Sequence, residues 1–325
     1  MTQTFLHIGL HKTATTYLQN KVFAGGENFH LLSRPYTQLN HAFNKLQYAN
    51  DSLYNEEDML AEVQKLSGKK ILVSDEMLSG QPYYNYINRS MIARRLKSIF
   101  SDATVIIFIR GQHDIVLSMY SQWIKALGGT ETLNSFLWYP KRSYSYEEYH
   151  ENLAKGSSSG VSFKGVKDSY YFWQDFFSIH LDNFLYFEMI SFYKNLFGKV
   201  HVFLYEDFKN QPEKIVLELQ DILGEKLNRI EPKTSNSKVN TRLSPQEIEM
   251  YRFNNVLKKM NLNPLLHKIF RGSYKLGLNF SENIFERESN MLKKLIFEFY
   301  KEDNRRLISE YPDIGIQNHP CQYCV

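Results

Sequence analysis

Phe5-Leu6-His7-Ile8-Gly9-Leu10-His11-Lys12-Thr13-Ala14-Thr15-Thr16-Tyr17-Leu18-Gln19 is the stretch that decides the fold. An apolar run breaks at Gly9 into a Lys/Thr-rich turn, and the turn runs on as a helix. A turn at the carboxyl end of a strand gathers backbone N–H groups, a lysine ammonium and hydroxyls, and the following helix adds the positive end of its dipole. The ligand of such a turn is an anion. A Walker A loop reads GxxxxGK[ST]; here His11 precedes Lys12 and Leu6 stands six positions before it, so the glycines that wrap a triphosphate are missing.

A second strand-end motif follows. Ala103-Thr104-Val105-Ile106-Ile107-Phe108-Ile109 is almost purely apolar and β-branched, as in a strand buried on both faces of a parallel sheet. It ends at Arg110, and Gly111 to Trp123 reads as a turn and an amphipathic helix carrying Ser118. Arginine suits an anion because its planar fork binds phosphate in a bidentate way and keeps its charge.

Lys12-Thr13-Ala14-Thr15-Thr16-Tyr17-Leu18 resembles the KxGTTxL phosphosulfate loop of sulfotransferases that use 3'-phosphoadenosine 5'-phosphosulfate (PAPS), except that Ala14 stands where glycine is common. Alanine there asks for negative φ. Arg110 with Ser118 eight residues on resembles the 3'-phosphate site of that family. The resemblance is clear over residues 3 to 123, fair over Val200 to Gly224 and loose elsewhere.

It implies an α/β fold: a doubly wound parallel sheet of the sulfotransferase, P-loop NTPase-like type, with a helical C-terminal extension. The expected organisation is an α/β domain over 1–230 and a cofactor lid plus helical extension over 231–325, packed on the same domain. Within the first lie the cofactor loop 8–18, the 3'-phosphate site 110–118 and an acceptor region at about 128–170. Cofactor contacts fall on His11, Lys12, Thr13, Ala14, Thr15, Thr16, Tyr17, Arg110 and Ser118. Lys238, Asn240 and Arg242 belong to a late basic loop of the kind that covers the cofactor. The implied donor is PAPS, leaving 3'-phosphoadenosine 5'-phosphate (PAP), with no metal; the implied acceptor is a hydroxyl, favoured as carbohydrate.

The chemistry needs a base opposite the leaving group. Lys70-Ile71-Leu72-Val73-Ser74 reads as a buried strand running into Asp75-Glu76. Glu76 is the candidate base, Asp75 the runner-up, and Lys12 the group that offsets charge on the departing phosphate, with His11 a weaker catalytic candidate.

Composition limits the alternatives. The 325 residues carry a net charge of +4 and two cysteines, without the clustered Lys/Arg stripe of a nucleic-acid binder. No run reaches membrane-spanning length and no leader is visible, so a cytoplasmic enzyme is expected. Cys321 and Cys324 form a CxxC read as a solvated tail rather than a zinc site. An ATP-dependent small-molecule or sugar kinase stays open as an alternative, as does a catalytically silent nucleotide-binding protein. The C-terminal helices could serve a homo-oligomer.

Helices are expected over Gln38–Ala49, Asn55–Leu66, Ile92–Phe100, Tyr170–Phe197 and Pro212–Leu223, and through 245–311. Strands are expected over Phe29–Ser33 and Lys199–Phe208.

Overall fold

The computed structural model describes residues 3–33, 40–66, 68, 70–138, 179–229, 243–260, 284–323 and 325. Five strands form one sheet: β1 (Thr4–His7), β2 (Phe29–Ser33), β3 (Lys70–Ser74), β4 (Thr104–Ile109) and, after a separate two-residue pair β5 (Leu137–Trp138) and β6 (Ile179–His180), β7 (Val200–Leu204). Their order is β2-β3-β1-β4-β7 and every pairing is parallel.

The helices in chain order are α1 (Thr15–Tyr17), α2 (Asn40–Tyr48), α3 (Glu56–Gln64), α4 (Arg89–Ile99), α5 (Gln112–Ala126), α6 (Leu133–Phe136), α7 (Tyr186–Phe197), α8 (Tyr205–Asn210), α9 (Pro212–Leu223), α10 (Pro245–Lys259), α11 (Ile284–Glu310) and α12 (Pro320–Tyr323). A π-helical turn, Leu18–Val22, continues α1.

Alternate side chains of each strand feed two separate cores, which is what the two-residue period of a strand dictates when both faces are covered. Leu6, Ile71, Val73, Val105, Ile107 and Ile109 join a large core with residues of α4, α5, α7, α10 and α11. Phe5, Leu72, Ile106, Phe108 and Phe203 join a smaller one with Leu18, Val22, Phe23 and the Ile215, Val216, Leu219 and Leu223 face of α9. All six residues of β4 are buried. Each large apolar side chain so placed is worth about 1.5–3 kcal/mol. The sheet is doubly wound.

The helical C-terminal region shares the larger core through Ile248, Phe285, Leu292, Ile296, Tyr300, Leu307 and Tyr323. Ser244 opens α10 with a full capping box, and α9 runs from Pro212 to a left-handed Gly224, both as their sequence signals ask.

Three expectations change. Of the expected Tyr170–Phe197 helix, residues 179–197 are described, and of these only Tyr186–Phe197 is α-helical; His180 belongs to β6 and Leu181–Phe184 is a 3₁₀ turn whose Leu181 carbonyl accepts the Tyr300 hydroxyl. The strand expected through Phe208 ends at Leu204, and Tyr205 begins α8. The tail is not simply solvated: Cys321 is exposed, but Tyr323 is fully buried. Among the described residues no helix is long and apolar enough to cross a membrane.

Candidate anion site at the carboxyl ends of the strands

In a doubly wound sheet, ligands collect outside the strand carboxyl ends where successive connections leave in opposite directions. That point lies between β1 and β4, because β1 leads towards β2 on one side and β4 leads towards β7 on the other. Lys12 follows β1 and Arg110 follows β4. Glu76 follows β3, the other neighbour of β1.

The loop after β1 is tied to β4 before it turns. Leu10 N–H donates to Phe108 O at 2.8 Å and Ile8 N–H to Ile106 O at 3.1 Å. Gly9 sits at φ +90°, and a Cβ there would lie 3.0 Å from both Cα and Cβ of Glu76. Glycine is therefore needed for its conformation and to let Glu76 close on the loop.

Beyond Leu10 the loop turns through left-handed residues, Lys12 at φ 65° and Ala14 at φ 68°. Ala14 thus takes the conformation that glycine would take. The expectation of negative φ is wrong because the turn's geometry overrides the residue's preference, at about 1–2 kcal/mol. The first helical bonds run from Tyr17 and Leu18 N–H to Ala14 O, so the Thr15 and Thr16 amides precede the helical ladder.

The threonines divide. Thr13 is buried and donates to Leu10 O at 2.6 Å, while Thr15 reaches the same carbonyl at 3.3 Å. These two hydroxyls brace the loop from within instead of all three converging on one outer point. Thr16 and Tyr17 are exposed, and Tyr17 meets Phe208 edge-on at 6.0 Å. His11 is half-buried, with Nε2 3.2 Å from Met77 Sδ and its ring edge-on to Tyr86.

Lys12 interacts electrostatically with both Arg110 and Glu76. Burial holds the Lys12 ammonium below its ordinary pKa, the Arg110 guanidinium lowers it further, and Glu76 pulls the other way. Arg110 Nη1 donates to Lys12 O at 3.2 Å and its guanidinium stacks over the Tyr205 ring at 4.6 Å. Arg110 Nε is enclosed and has no acceptor among the described residues. A buried donor left unpaired costs roughly 1–3 kcal/mol, so a bound anion would complete this corner.

Asp75 is a cap. It is buried, accepting from Met77 N–H at 2.9 Å and Gln47 Nε2 at 3.0 Å. Glu76, the next residue, is half-buried at the site. Ser118 lies on the half-buried side of α5, in register with Asp114 one turn before it. Lys125, two turns beyond Ser118, also lowers the Lys12 pKa; its i+7 spacing on the helix was the available sequence signal. Tyr205, under Arg110, had none beyond being aromatic at a strand end.

Lys238, Asn240, Arg242 and residues 139–170 of the acceptor region lie outside the described residues. Among the described residues no group of three or more His, Cys, Asp or Glu could hold a metal ion.

Fold and site together define a parallel α/β protein with two cationic strand ends and a carboxylate beside them. No protein-family model and no curated protein matches the sequence. Among solved structures, the chain is similar to a sulfotransferase from Alicyclobacillus acidocaldarius, at 15% identity and TM-score 0.44, covering 82% of this chain and 99% of that one. It is also similar to mouse sulfotransferase SULT7A1 complexed with PAP, at 13% identity and TM-score 0.34, covering 95% of this chain and 89% of that one.

Proposed function

We propose that the protein is a PAPS-dependent sulfotransferase that moves a sulfuryl group to a hydroxyl acceptor. The observation that carries this is the placement of Lys12, Arg110 and Glu76 after three adjacent parallel strands, with the Lys12 ammonium feeling both other charges and Arg110 Nε awaiting an acceptor.

On this reading the 8–18 loop, with His11, Lys12, Thr13, Ala14, Thr15, Thr16 and Tyr17, holds the 5'-phosphosulfate. Arg110 and Ser118 hold the 3'-phosphate, and Lys238 and Arg242 cover it. The bound donor supplies an electrophilic sulfur whose bond to the 5'-phosphate oxygen breaks as the acceptor oxygen bonds to it.

Glu76 takes the acceptor's proton. Lys12 offsets the charge that develops on the 5'-phosphate, and does so without reorganisation because the β1–β4 ladder fixes its loop. His11 lies behind the same loop, against Met77, and shapes its wall. No metal takes part in these steps.

The favoured acceptor is a carbohydrate hydroxyl on a polysaccharide or glycolipid, worked on in the cytoplasm. Self-association through α10 and α11 belongs to the same reading, with Met260, Met291 and Phe297 exposed on them or at their ends. The test is to incubate the protein with PAPS and a panel of glycans and small-molecule alcohols, following PAP release and product mass. Sulfation of a hydroxyl acceptor that Glu76→Gln abolishes supports the reading; no turnover and no PAP binding would end it.

A further inference from the structure

Arg110 is held on its side-chain end by Lys12 O and Tyr205, but its main chain is held by something else. Tyr186 donates its hydroxyl to Arg110 O. Gly111 N–H donates to Glu206 Oε1 at 3.1 Å, and the other oxygen of Glu206 accepts from the Tyr323 hydroxyl at 2.8 Å. Gln112 Nε2 donates to Asn304 Oδ1 at 2.8 Å, while Asn304 Nδ2 donates to Tyr323 O.

The circuit closes on Tyr323, whose ring lies 6.4 Å from that of Tyr186. Glu206, Gln112, Asn304 and Tyr323 are all buried. Burial raises the pKa of both phenols, which keeps them protonated as donors. Gly111 is closed off as well, because a Cβ there would stand 2.7 Å from Gln322 O. His319 Nε2, at 2.8 Å from Asp207 Oδ1, fixes the approach to the same turn.

We propose that the Pro320–Tyr323 turn is a positioning element for Arg110. Through Glu206 and Asn304, Tyr323 fixes the Gly111 N–H and the Gln112 side chain, on the two residues that follow Arg110, and so aims the guanidinium at the 3'-phosphate of the donor. The inference rests on the sulfotransferase reading above. Its physical basis is that a buried and mutually satisfied polar circuit rigidifies what it encloses. Tyr186 and Glu206 touch the Arg110–Gly111 main chain directly, and Tyr323, from the far end of the sequence, joins Glu206 to Asn304.

Tyr323→Phe tests it, because the ring stays and only the hydroxyl goes. Affinities for PAP and for adenosine 5'-monophosphate, which lacks the 3'-phosphate, are measured by calorimetry in wild type, Tyr323→Phe, Arg110→Ala and the double variant. The expected result is a loss of about tenfold for PAP in Tyr323→Phe, little change for the monophosphate, and no further loss when Arg110 is already alanine.

Unchanged preference for PAP in a folded Tyr323→Phe protein overturns the proposal and leaves the sulfotransferase reading standing. A wild type that binds the two nucleotides equally well overturns both. If Tyr323→Phe does not fold, Glu206→Gln carries the same expectation with the same readouts.

Discussion

Arg110 Nη1 donates to the backbone carbonyl of Lys12 at 3.2 Å, joining the turns after β1 and β4 directly. Two cationic side chains are thus brought together where each raises the other's electrostatic cost, and burial adds to it for Lys12. An anion shared between them removes that cost.

Removing the guanidinium tests its half of the arrangement. Arg110→Ala should weaken PAP binding by roughly 10–100-fold, the worth of hydrogen bonds to a charged group. Arg110→Lys should recover only part, since a lysine has no fork. Calorimetry reads both.

Lys12 has the opposite signature in stability. Its folded pKa lies below the unfolded value, so the unfolded state binds more protons between the two, and stability rises with pH across that window. Below that window the full penalty of burying the ammonium is present. Lys12→Met should therefore raise the stability of the nucleotide-free protein by about 1 kcal/mol in thermal melts while abolishing PAP binding.

Asp75 and Glu76 separate structure from chemistry. Asp75→Ala loses a cap and a buried hydrogen bond and should lower stability by about 2 kcal/mol, read by urea denaturation. Glu76→Gln should leave the melting temperature and PAP affinity close to wild type while lowering turnover by roughly 10²–10⁴-fold. Normal turnover in Glu76→Gln would move the base elsewhere.

The Ala14 conformation gives a gain-of-stability test. Ala14→Gly relieves a left-handed alanine at φ 68° and should stabilise by about 0.5–1 kcal/mol, whereas Ala14→Val should destabilise. A thermal melt in which glycine is the less stable would contradict the assigned backbone.

Acid stability carries two opposing groups. Burial lowers His7 to about 3, so the unfolded state binds the extra proton below about pH 6.5 and stability falls as pH falls through that range. Burial pushes Asp303 up to about 6, so its contribution increases as pH falls from 6 towards 4. Asp303→Asn should expose the His7 slope, up to about 1.4 kcal/mol per pH unit, in chemical denaturation between pH 6 and 4.

What the sequence made legible was local or periodic. β1 and β4 announce themselves as apolar runs ended by Gly9 and Arg110, α9 is bracketed by Pro212 and Gly224, and Ser244 to Glu247 spells a capping box. What stayed hidden depends on partners far along the chain. The Asp75 cap on Met77 is local, but its burial under Gln47 is not, and Tyr323 reads as tail until Glu206 and Asn304 enclose it. The left-handed Ala14 was illegible for another reason: residue preference argues one way and the loop's closure on β4 decides the other.

The most direct measurement is calorimetric titration of the wild-type protein with PAP and, separately, with ATP. PAP should bind at least about tenfold more tightly, because Arg110 has a 3'-phosphate to meet only in PAP. ATP binding as tightly as PAP, or more so, would contradict it.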